Sequence, residues 1–114
     1  MAGVATYALT LSGTDISTES RRGSVSYDES LVQNYEIATG VTDEAISIGG
    51  VATIDVLFLE SDQAITLNIN SSTGTDITVD ANKPLLITGT SITALYVSNS
   101  SGSTANIRYV LLGT

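Results

Sequence analysis

Residues 51–70 read VATIDVLFLESDQAITLNIN, and the two halves of this stretch decide the fold. From Ile65 the chain alternates strictly. Ile65, Leu67 and Ile69 take one parity, and Thr66, Asn68 and Asn70 take the other. Successive side chains of an extended chain point to opposite sides, so this segment reads as a strand with one apolar and one wet face. From Val51 to Glu60 both parities are apolar: Ile54, Val56 and Phe58 on one, Leu57 and Leu59 on the other. Such a strand is expected in the middle of a sheet, covered on both sides. Asp55 interrupts it. It either marks the start of the strand or needs a buried partner, for which Arg108 is the natural candidate.

The same alternation recurs on both sides of this stretch. Ala5, Tyr7, Leu9 and Leu11 share a face in a first strand, and Val25 and Tyr27 open a second. Leu31 to Thr39 gives a third, with Tyr35 and Ile37 pointing together, and Ile46 and Ile48 mark a short fourth. Downstream come Ile77 with Val79, then Leu85 to Thr88, Ile92 to Ser98 and Ala105 to Leu112. Val, Ile and Thr supply 36 of the 114 residues, and β-branched side chains suit a pleated surface. No segment has a convincing helical period.

Turn signals separate these runs: Ser12-Gly13-Thr14-Asp15, Gly49-Gly50, Ser71-Ser72-Thr73-Gly74, Asn82-Lys83-Pro84, Thr88-Gly89 and Asn99-Ser100-Ser101-Gly102. A Gly-Thr-[Asp/Ser]-Ile-[Ser/Thr] pattern recurs at residues 13–17, 74–78 and 89–93. It reads as a reusable turn whose Ile enters the core, and its uneven spacing excludes a solenoid. Residues 13–24 and 40–50 are the least patterned and are expected to be loops or an arm, where binding surfaces usually sit. The expectation is all-β: one domain over residues 1–114, a single antiparallel sandwich of eight to ten short strands with jelly-roll character.

Composition removes many functions. The 114 residues are 42% apolar and only 14% charged, which excludes general disorder. No apolar run is longer than the four residues Val56 to Leu59, too short for a membrane helix. Histidine and cysteine are absent, so imidazole and thiol catalysis, zinc–thiolate sites and disulfides are excluded. Twelve acids oppose four bases for a net charge of −8. A chain of that sign repels phosphate backbones and anionic membranes, so neither nucleic acid nor membrane is an expected partner. The N-terminus lacks the basic and apolar regions of a signal peptide, so synthesis in the cytoplasm is expected. Asn70-Ser71-Ser72 and Asn99-Ser100-Ser101 match the glycosylation pattern but read better as turns.

Little remains to perform a reaction, and the expectation is that the protein is not an enzyme and holds no cofactor. A Ser–Lys pair would have only Lys83, which precedes Pro84 in a turn. The carboxylate pairs Asp28-Glu29, Asp43-Glu44 and Glu60/Asp62 carry no glycosidase signature and read as solvated surface. Calcium would take oxygen ligands such as Asp15, Asp76 and Asp80. With no tryptophan, a sugar-stacking site has only tyrosines such as Tyr27 and Tyr35. Interface candidates are clearer. Arg21-Arg22 is the only basic pair in an acidic chain, and arginine is favoured at interfaces. The terminal Tyr109-Val110-Leu111-Leu112 is apolar on both faces and must be covered, by its own domain or by another subunit.

The later half of the chain, with AITLNIN at residues 64–70 and ITVDANKPLLITGTSITALYVSNSSGSTANIRYVLLGT at residues 77–114, resembles small virion proteins of tailed bacteriophages. The resemblance lies in a strand, an Asn-Ser-Gly turn and a final strand that close a sandwich. It implies a non-catalytic capsid decoration or cement protein on the virion surface. Such proteins are commonly homotrimers that bind the major capsid protein; the resemblance carries over no functional residue, and Arg21, Arg22, Leu111 and Leu112 stand as interface candidates from the residues themselves. A tail or fibre component and a carbohydrate-binding module are the alternative readings.

Overall fold

The computed structural model describes residues 3–114, and the side chains of Ile16, Gly89 and Thr90 lie outside what is described. These residues form ten strands and no helix: β1 (Gly3–Gly13), β2 (Ile16–Tyr27), β3 (Glu29–Ile37), β4 (Glu44–Ile46), β5 (Ile54–Ser61), β6 (Ile65–Ile69), β7 (Asp76–Val79), β8 (Leu85–Ile92), β9 (Leu95–Ser98) and β10 (Ala105–Gly113). All pairings are antiparallel.

From Glu29 onward the pairing is nested. β3 pairs with β10, β4 with β9, β5 with β8 and β6 with β7. The chain folds back on itself about the turn at Ser71–Gly74, as one long hairpin would. Lateral pairing of β10 with β5 and of β6 with β9 closes it into two four-stranded sheets, β3-β10-β5-β8 and β4-β9-β6-β7. Their inward residues make one core. Ile37, Leu57, Leu59, Ile107, Tyr109 and Leu111 come from the first sheet, and Ile46, Leu67, Leu95 and Val97 from the second. Each such side chain contributes roughly 1.5–3 kcal/mol on burial. β1 and β2 stand apart as a two-stranded ribbon, hereafter the arm.

The alternation of Ile65–Asn70 behaves as expected at its start but not at Asn68, which is 2% exposed and donates to the Gly74 carbonyl and the Asp76 carboxylate. Ile65 and Leu67 are buried, and Thr66 lies on the outer side opposite Thr78 and Ser98. Strand β5 is central in its sheet, between β10 and β8. It is not covered on both sides, however. Leu57 and Leu59 are fully buried, whereas the outward Phe58 remains 42% exposed.

Four local expectations resolve in the structure, and for residues 13–24 it is the arm and not the loop that stands. Residues 13–24 are not a loop: from Ile16 they form β2, paired residue by residue with β1 from Gly3↔Tyr27 to Leu11↔Glu19. Ser17 to Arg22 carry no apolar period because a ribbon in water buries neither side there. Their extended form is imposed by the ladder with β1. The turn expected at Thr88-Gly89 lies inside β8, where the ladder to β5 loses register between Val56↔Thr88 and Ile54↔Ile92. Asp55 sits at that same irregularity and is only half-buried, so it needs no buried partner. Arg108 instead donates to the Asn34 side-chain oxygen at 3.2 Å. Of residues 40–50 only Glu44–Ile46 forms a strand.

The recurring Gly-Thr pattern has mixed outcomes. Ile92 is buried and Ile77 half-buried, while the Ile16 side chain lies outside the described residues. Both Asn-Ser-Ser segments are structural. Asn70 adopts a φ of 66°, accepts from the Thr93 N–H at 2.6 Å and donates to the Ser91 carbonyl at 3.1 Å. Asn99 is buried. It donates to the Ile37 and Ser103 carbonyls at 2.9 and 2.8 Å and accepts from the Ser101 N–H and hydroxyl at 3.0 and 2.7 Å.

Candidate functional site

The two outer faces of the sandwich differ in chemistry. On the sheet β4-β9-β6-β7, the outward rows are Thr78–Thr66–Ser98 and Asp76–Asn68–Tyr96–Ala45, which are polar apart from Tyr96 and Ala45. On the sheet β3-β10-β5-β8, one complete row across all four strands is apolar: Val32–Val110–Phe58–Leu86. The next row, Ser30–Leu112–Val56–Thr88, is half apolar, and on the other side lies Asn34–Arg108–Glu60. Val32 is 55% exposed, although a Val–Val–Phe–Leu row normally belongs inside a protein.

An open depression of ≈ 540 Å³ lies beside this row, on its Asn34–Arg108–Glu60 side, lined by Glu36, Phe58, Glu60, Asp62, Arg108 and Val110, among others. Its rim is acidic. Asp62 accepts two hydrogen bonds from Asn106, from the backbone N–H at 2.8 Å and from the side-chain amide at 3.0 Å. These bonds, the side-chain one foremost, hold its carboxyl below the ordinary carboxylate range.

The arm meets the other end of the same face. Tyr7, Ser24 and Val25 share a depression of ≈ 340 Å³ with Asp55, Val56, Thr88 and Ser91. Val56 points outward yet is only 6% exposed. The arm itself is amphipathic by register. One side carries Ala5, Tyr7, Leu9 and Leu11 with Glu19, Arg21, Val25 and Tyr27; the other carries Thr6, Ala8 and Thr10 with Ser20, Arg22 and Ser24, and an exposed Val4 opposite Ser26 at its base. The Tyr7 ring lies across Gly23 and the Tyr27 ring across Gly3, their cross-strand partners, each filling the space a side chain would take. Beyond Tyr7 the apolar side is uncovered: Leu9 is 52% and Leu11 64% exposed.

The residues anticipated as an interface therefore separate. Arg21 and Arg22 both lie on the exposed outer part of the arm, opposite Leu9 and Ala8. Arg21 donates to the Ser20 carbonyl at 2.9 Å and forms a 3.8 Å ion pair with Glu19, between exposed side chains. Leu112 is half-buried on the outward face. Leu111 is fully buried in the core against the opposite sheet, so it cannot contact a partner. β10 is covered on its inward side by its own domain. What the sequence missed is Val32, Phe58, Val110 and Leu86, because their adjacency depends on register between four distant strands.

The other candidates for chemistry stay apart. Among the described residues no three acidic side chains converge as a metal site would require. Asp76 accepts from the Asn68 amide at 2.7 Å, and Asp80 lies 3.7 Å from Lys83, both exposed. Tyr35 faces Glu44, whose hydrogen bond and charge push its phenol up, whereas Tyr27 lies over Gly3 in the arm. The two do not form a shared sugar platform. Comparison with known protein families, with curated protein sequences and with solved structures finds no match.

Proposed function

We propose that this protein is a structural component of a bacteriophage virion: a decoration protein that assembles as a homotrimer on the outside of a capsid and ties neighbouring capsomers together. The observation that carries the reading is the pairing of an uncovered apolar sheet face with an exposed amphipathic arm on one small sandwich. Both are surfaces for adhesion, and contiguous exposed apolar surface on a stable domain marks an interaction site. The nested strand order supports reading the sandwich as a jelly roll, an architecture used by viral capsid, lectin and cupin domains. Fold alone does not choose among these. The resemblance of residues 64–114 to small virion proteins favours the capsid.

The mechanism is mass action. A protein that binds only the assembled shell stabilises that shell against disassembly. The test is co-sedimentation of the purified protein with expanded phage capsids, together with the temperature at which those capsids open. Saturable binding and a raised opening temperature support the proposal. Binding to host-surface glycans without binding to capsids would move the protein to the tail or fibre.

A further inference from the structure

We infer that the arm of one copy docks on the uncovered sheet face of a second copy, with Leu9 and Leu11 seated over Phe58 and Val110. The inference deepens the self-association in the reading above and rests on that part of it alone, not on the capsid.

An isolated two-stranded ribbon is marginal in water, and one of its sides must find apolar cover. The base of the arm finds it at the Val56 end of its own sheet. The tip does not: Leu9 and Leu11 are exposed while Phe58 and Val32 of the same chain are exposed too, so tip and face do not cover each other within one molecule. The dimensions fit. With strands about 4.8 Å apart, the row Val32–Val110–Phe58–Leu86 runs about 14 Å, wide enough to seat a two-stranded ribbon.

Charge selects the occupant. The arm is balanced, with Asp15 and Glu19 against Arg21 and Arg22, so the net −8 belongs to the sandwich. Two sandwiches therefore repel, whereas the arm, with no net charge, is the part of a second copy that this face tolerates. Arg21, paired with Glu19 at 3.8 Å on the same side, shares that side with Leu9 and Leu11. When the leucines sit on Phe58 and Val110, its guanidinium faces a rim carrying Glu36, Glu60 and Asp62, with Arg108 the one base of that rim. The contact joins different patches on the two copies, so it closes only as reciprocal exchange or as a ring.

The chain contains no cysteine, so single introduced thiols report without background. Leu9→Cys in one preparation and Phe58→Cys in a second, mass-tagged one are mixed and gently oxidised. Thr66→Cys on the opposite sheet serves as control. The expected result is a tagged–untagged disulfide at least tenfold above the control. A Leu9→Asp/Leu11→Asp variant should shift the native mass from oligomer to monomer with the circular dichroism and melting of the sandwich retained. A monomeric native mass for the unmodified protein overturns both this inference and the homotrimer. An oligomer without the 9–58 crosslink overturns the inference alone. A crosslinked oligomer that ignores capsids leaves the inference standing and removes the capsid reading.

Discussion

The Tyr109 hydroxyl, at the centre of β10 and buried, donates to the Ser47 carbonyl at 2.8 Å and so ties the β4–β5 connection to the core. Replacing it with Phe keeps the ring and removes the bond. Ser47 is exposed, so water can satisfy its carbonyl, and the cost should sit near the low end, about 1 kcal/mol. Urea unfolding of Tyr109→Phe should show a lower midpoint with an unchanged slope.

The same phenol predicts an alkaline limb. Burial pushes the Tyr109 phenol up, and the nearby Tyr35 adds to it. A group whose folded pKa exceeds its unfolded value contributes stability below the unfolded value, and that contribution is lost as pH rises through the folded one. Stability should therefore hold up to about pH 10 and decline above it. Tyr109→Phe should show a shallower decline, read from urea titrations across that range.

Gly113 tests the close approach at the end of β10. A side-chain carbon there would strike the Thr53 backbone carbonyl, which already accepts from the Thr114 N–H at 3.0 Å. Backbone cannot swing aside as a side-chain tip can. Gly113→Ala should cost about 3 kcal/mol or more, at the upper end of overpacking effects. Thermal melting checks it, and an unchanged midpoint would reject the packing described.

How far the sequence carried this reading depends on which periods are local. Ile65–Ile69 and Ala5–Leu11 announce their faces because alternation is decided by neighbours two residues away. Ser17 to Arg22 hide a strand because their extended form comes from partners in β1. Phe58 was legible as apolar and central, but not as exposed. That property follows from Val32, Val110 and Leu86, three strands remote in sequence, forming its row. Leu111 and Leu112 look alike in sequence, and only register sends one inward and the other outward.

Asn99 separates a turn from a modification site. Its amide is fully committed to Ile37, Ser103 and Ser101. Asn99→Ala should cost about 2 kcal/mol by leaving buried backbone groups unpaired. Folded protein offered to a glycosylating extract should remain unmodified at this position, as mass spectrometry of the tryptic peptide would show.

Asp62 gives the acid limb. Its folded pKa lies below the ordinary aspartate value, so the contact stabilises above that value and is lost as pH falls through the lower, folded one. Carbon-detected NMR should show its carboxyl titrating below the ordinary aspartate range. Asp62→Asn should flatten the acid dependence of unfolding below about pH 4.

Gly23 sets two effects against each other. A glycine inside a strand normally costs about 0.5–1 kcal/mol relative to alanine, so Gly23→Ala should help. Here the Tyr7 ring occupies the space, and a methyl group would push the ring off the strand. The ring is the free end of a flexible side chain, so it yields and the backbone does not. The arm then loses the cover that orders its base, while the sandwich keeps its core. Amide exchange should rise about tenfold in residues 5–9 and 21–25, with the melting of the sandwich changed by no more than about 0.5 kcal/mol. In a Tyr7→Ala background the same Gly23→Ala change should become neutral or favourable, because the ring that opposed it is gone. A double-mutant cycle with no coupling between the two positions would show that the tyrosine does not lie across the glycine in solution.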